Sequence, residues 1–143
     1  MMYSQSKAEI ALDTHIQTTI TNIDLTFANI PYTPSVMEPY IKIIHRPGRK
    51  FQASLGDNGW NRISGIMFVY ISYPVGASVG TYAANMTAER VVALFEIGTV
   101  LVHENVTVNT TSAQRVAAIE GDTRFTPVVE IKWYSYVSRD TII

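Results

Sequence analysis

The chain has no cysteine, which excludes both a disulfide framework and a thiolate metal site. It is also short of charge: Asp, Glu, Lys and Arg make up 16% of its 143 residues, against roughly a quarter in an ordinary soluble domain. Hydrophobic residues reach 47% and the mean hydropathy is slightly positive. A monomer built this way has few charges with which to cover its surface, so the composition reads as that of a subunit in an assembly. The start, Met1-Met2-Tyr3-Ser4-Gln5-Ser6, has neither a basic nor an apolar segment, so no secretory signal is expected. Without one, the three Asn-x-Ser/Thr triplets at Asn85, Asn105 and Asn109 read as chance matches. No run approaches the roughly 18 uninterrupted apolar residues of a membrane helix, because the longest contains Ser64, Gly65, Ser72 and Pro74. One domain spanning 1–143 is expected, with no internal repeat.

The most informative stretch runs from Arg62 to Phe95. Between Arg62 and Pro74 the odd positions are Ile63, Gly65, Met67, Val69, Ile71 and Tyr73, while the even ones include Ile66, Phe68 and Tyr70. A strand with one wet face alternates apolar with polar. This one is apolar on both, so either it is central in a sheet covered on both sides or another subunit covers one face.

Elsewhere the spacing predicts a helix over residues 6–23, with Ser6 and Glu9 as a capping box and Ala8, Leu12, His15, Ile16, Ile20 and Ile23 along one face. Phe27 to Pro39 reads as a proline-bearing connector without a regular element. Tyr40 to Arg46 reads as a strand, joined to the long strand by a polar loop from Pro47 to Gly59. A second helix is expected from about Thr81 to Glu96, burying Ala84, Ala88, Val91, Val92 and Phe95, with Gly98 as its stop. Val100 to Asn109, Arg115 to Glu120 and Arg124 to Ser138 complete the strands. The order α-β-β-α-β-β-β implies an α+β fold: an antiparallel or mixed sheet with two main helices on one face.

Gly76-Ala77-Ser78-Val79-Gly80 matches the G-x-S-x-G nucleophile elbow and lies between a strand and a helix. His103, with Glu89 or Glu96, supplies the remaining triad types in the order Ser, acid, His. The context is wrong, because the hydrolase scaffold needs several parallel strands before the elbow and only two are expected here. The simpler reading is a glycine-bearing turn in which Ser78 or Thr81 caps the second helix. No P-loop or dinucleotide glycine pattern occurs, and His15, His45 and His103 lack metal-ligand spacing. Neither a metal nor a cofactor is expected.

Charge is unevenly placed. Lys42, Arg46, Arg49 and Lys50 put +4 between residues 39 and 56 with no acid among them, and the chain's net −1 leaves −5 for the rest. A solvated loop tip explains this, as does a contact with an acidic partner. Direct nucleic-acid binding does not fit the negative net charge and the lack of a known motif.

The pattern resembles the bacteriophage tail terminator family. The residues that carry it are Ile30-Pro31-Tyr32, Tyr40-Ile41-Lys42-Ile43, Leu55-Gly56, Arg62-Ile63-Ser64-Gly65, Tyr73-Pro74-Val75-Gly76, Gly80, Ala83, Ala88-Glu89 and Phe95, across most of residues 5–100. The resemblance implies a structural protein of the virion with no catalytic residue. Such a subunit joins a six-fold ring that closes the head-proximal end of the tail. One face of the ring meets the last tail-tube subunits and stops their polymerisation, and the other offers a docking surface to the head-tail connector. It implies assembly in the host cytoplasm, DNA passing through the lumen without specific binding, and no membrane. Arg46, Arg49, Lys50, Phe51, Trp60 and Arg62 are the expected contacts with a neighbour or the tube, from charge and exposure. Another neck or tail-completion protein, or a small serine hydrolase using Ser78, are the alternatives.

Overall fold

The structure is a computed structural model and describes residues 3–27, 38–56, 59–75, 80–121 and 123–138. Two helices, α1 (Ser4–Thr19) and α2 (Gly80–Leu94), accompany strands β1 (Asp24–Phe27), β2 (Tyr40–Pro47), β3 (Phe51–Gln52), β4 (Trp60–Pro74), β5 (Val100–His103), β6 (Val106–Glu120) and β7 (Arg124–Ser138). The strands form one sheet in the order β1-β2-β4-β7-β6-β5, with β3 paired to β4. Only β1 and β2 run parallel; every other pair is antiparallel. The fold is therefore α+β with a mixed sheet and both helices on one face, in the expected element order, with the short β1 and β3 in addition.

The period-2 rule explains the core. The odd side chains Ile63, Met67, Val69 and Ile71 of β4 are buried, joined by Ile41 and Ile43 of β2 and by Val129, Ile131, Trp133 and Val137 of β7. Onto them α1 lays Ala8, Leu12 and Ile16, and α2 lays Ala88 and Val91, followed by Phe95 just past its end. His15 ties the helices together by donating from Nε2 to the Leu94 carbonyl at 3.0 Å and meeting the Phe95 ring edge-on at 5.2 Å. His45 ties α1 to β2, its Nε2 donating to Asp13 Oδ1 at 2.7 Å.

Gly65 is demanded by a close approach. It pairs with Trp133, and a Cβ built on it would stand 2.8 Å from Cζ2 of that buried indole. Gly65→Ala is therefore expected to destabilise the chain by about 1–3 kcal/mol through overpacking, read as a lower urea midpoint at an unchanged slope.

Three expectations are corrected. The first helix begins at Ser4 after a left-handed Tyr3 and ends at Thr19, with no side-chain cap, so Ser6 and Glu9 lie within its first turns and form no capping box. Four residues of extended chain, Asp24–Phe27, precede the connector; residues 28–37 lie outside the described residues. Residues 100–120 are not broken near residue 112. The chain turns back at Glu104 and Asn105, where Glu104 adopts φ 54°, and β6 then runs on to Glu120 with register irregularities. Lys7 closes that turn onto α1 at 2.8 Å from Glu104, and its hydrogen bond and charge hold the Glu104 carboxyl below its ordinary range.

Candidate assembly interface

Among the described residues, no helix or strand packs on the other face of the sheet. Register assigns its side chains: Tyr40, Lys42, Ile44 and Arg46 from β2, Trp60, Arg62, Ser64, Ile66, Phe68 and Tyr70 from β4, and Glu130, Lys132, Tyr134 and Tyr136 from β7. Between its charged residues this face presents half-buried Ile44, Ile66, Phe68, Tyr70 and Tyr134, where an exposed sheet face would be mostly polar. Val100 and Val102 of the edge strand β5, 56% and 63% exposed, extend the same face.

Arginines sit over the aromatic rings. The guanidinium of Arg62 lies 4.7 Å from the Tyr134 centroid, that of Arg46 6.0 Å from Phe68, and that of Arg49 5.3 Å from Phe51. A guanidinium on a ring face stays charged while hiding apolar surface, a combination enriched where proteins meet. At the opposite end Arg124 covers Tyr40 at 4.9 Å and donates to Ser72 Oγ and to the Glu38 carbonyl, which fixes that corner. Among the described residues, register assigns the acids Asp24 and Glu130 to this face, the latter 3.5 Å from Lys132.

The face is concave at the Arg124 end. Tyr40, Lys42 and Ile44 of β2, Tyr70 and Ser72 of β4, Thr126 of β7 and Ile119 of β6 line one open cavity of about 230 Å³. Side chains from four strands thus share one open cavity, a trough lined by Tyr40, Ile44, Tyr70 and Ile119 with Lys42 among its residues.

The structure thus brings Arg46, Phe51, Trp60 and Arg62 to one face, with Phe51 paired to Arg62 and Arg46 paired to Ile66. Arg49 and Lys50 stand in the exposed loop beside them. His45 parts company with its basic neighbours, since its odd register turns it to the α1 side. What the residue-by-residue reading missed is the trough, because Ile119 and Thr126 share it with Lys42 only through the strand order β2-β4-β7-β6. Ser78 lies outside the described residues. Its suggested partners Glu89 and Glu96 are exposed on and just after α2, while His103 belongs to β5. Among the described residues no group of three or more His, Asp or Glu side chains is placed to hold a metal ion. No helix among them is long and apolar enough to cross a membrane.

Comparison with curated proteins gives no match. Among solved structures, one chain that carries no functional name is 17% identical, with a TM-score of 0.72 over 94% of this chain and 96% of that one. A chain from the virion of a native gene transfer agent particle is 14% identical, with a TM-score of 0.57 over 94% and 99% respectively. At these identities the likeness is one of fold. The sequence itself carries the assignment further: the family model for phage tail terminator proteins matches residues 8–133. That family is a structural one and not an enzyme family, and this chain belongs to it.

Proposed function

We propose that the chain forms a ring at the head-proximal end of a phage tail, where it caps the tail tube, stops its polymerisation and offers the head-tail connector a docking surface. The observation that carries this reading is the uncovered sheet face, aromatic and cationic, in a chain of the tail terminator family. A contiguous apolar face left uncovered marks an interaction surface, and the scarcity of charge in the whole chain agrees with burial between subunits. The similarity in fold to a chain of a gene transfer agent virion supports a place in such a particle. Six copies are the ring order we favour, from the family resemblance. DNA passes through the lumen without being bound specifically, since no nucleic-acid motif is present and the net charge is −1. The loop residues Arg49 and Lys50, with Phe51 of β3 and Trp60 of β4, reach toward the tube or a neighbouring subunit.

Deleting the gene and imaging the lysate by negative-stain electron microscopy tests this role. Overlong or unjoined tails beside filled heads are expected. Tails of normal length that fail to join heads would move the chain to the neck, and intact infectious particles would remove it from assembly altogether.

A further inference from the structure

We propose that subunits of the ring join head to tail, with α2 of one copy seated in the sheet trough of the next; this rests on the ring reading above. α2 is apolar on more than its core side. Opposite the buried Ala84, Ala88 and Val91 it exposes Tyr82 (73%) and Met86 (49%), then Ala93, and Ile97 follows at 77% just past its end. Positions 82, 86, 89 and 93 recur at the three- and four-residue spacing of one helical stripe. A helix covered on one side only should be polar there.

Charge identifies the occupant. Glu89 and Glu96 are exposed along or beside this stripe, and Arg90 is exposed next to Glu89. The trough side presents Lys42 and Arg46, with Glu130 across the sheet. Glu89 of α2 and Glu96 just past its end thus meet cations, and Arg90 approaches Glu130, which lies 3.5 Å from Lys132 of its own chain. Length agrees, since a helix of about 22 Å fits along strands of about 50 Å with the trough at one end of them. The two surfaces lie on opposite sides of one protomer, α2 outermost on one and the sheet face on the other. Their contact therefore repeats helix on sheet from copy to copy, which is a heterologous interface that closes into a ring when the rotation permits.

Thiol cross-linking in assembled particles tests the pairing, and the absence of cysteine gives a blank background. Particles carrying I44C together with M86C are treated with a short bis-maleimide and run on a denaturing gel. A ladder climbing from dimer to the full ring is expected, with neither single variant cross-linking alone. If the double variant does not assemble, coexpressed single variants should give a dimer band. Dimers from M86C alone would mean helix-to-helix packing and overturn the proposal. Particles that contain the chain but yield only monomer overturn it as well, while leaving the terminator role standing. Particles that lack the chain remove both.

Discussion

Replacing Phe95 by alanine should lower the unfolding free energy by about 3–5 kcal/mol, the cost of emptying a fully buried aromatic site. Phe95 is 0% exposed and the largest of the fully buried side chains among the described residues. It stands where α2 ends, its ring against His15 of α1, and the carbonyl of the preceding Leu94 accepts the His15 hydrogen bond. The truncation therefore opens a cavity and loosens the contact that holds the two helices side by side over the sheet. Domains of this size have about 5–15 kcal/mol in all, so the variant should melt some 10 °C or more below the parent. Phe95→Leu, which keeps most of the volume, should cost about 1.5 kcal/mol or less. A loss under about 1 kcal/mol for the alanine variant, from urea unfolding of the purified chain, would show that the site collapses and that the helices are held by other contacts.

The same strand that made the fold legible also left its main question open. Ile63, Met67, Val69 and Ile71 alternate with Ile66, Phe68 and Tyr70, and periodicity cannot tell a strand covered twice by its own chain from one covered once. The structure separates the two sets, one under the helices and one facing out. β7 was readable to its ends because Val129, Ile131, Trp133 and Val137 alternate with Glu130, Lys132, Tyr134 and Tyr136 over an uninterrupted run. The β5–β6 turn was hidden for the opposite reason. A two-residue hairpin normally announces itself by Asn-Gly or Asp-Gly, whereas here the turn is Glu104-Asn105 and Glu104 takes the left-handed conformation. β1 escaped notice because four residues beside a partner strand need no pattern of their own; their pairing with Tyr40–Ile43 is what makes them a strand. As for the site, local sequence placed the basic residues together but not their faces, and it took the register to send His45 inward and Lys42 and Arg46 outward.

Reversing Arg49 and Lys50 together to glutamate should leave the fold nearly untouched and cut the yield of joined particles at least tenfold. Both residues are exposed, and neither belongs to a strand. The main structural loss is the contact of Arg49 with the Phe51 ring, worth about 0.5–1 kcal/mol at an exposed site, so the melting temperature should move by a few degrees at most. The functional loss is larger because the substitution changes the loop by four charges. If the loop approaches an acidic surface on the tube or on a neighbouring subunit, each reversal turns attraction into repulsion. A combined penalty of about 1.4 kcal/mol already gives a factor of ten, and every copy in a ring carries the change. Charges at the rim of an interface act mainly on the rate of encounter and are screened by salt. The parent's joining rate should therefore fall as ionic strength rises, and that dependence should vanish or invert in the variant. R49A/K50A should be intermediate and R49K/K50R close to the parent. An unchanged yield from the glutamate pair, at any salt, would show that the loop is a solvated tip, and would leave the trough and its aromatic flank as the surfaces on which assembly depends.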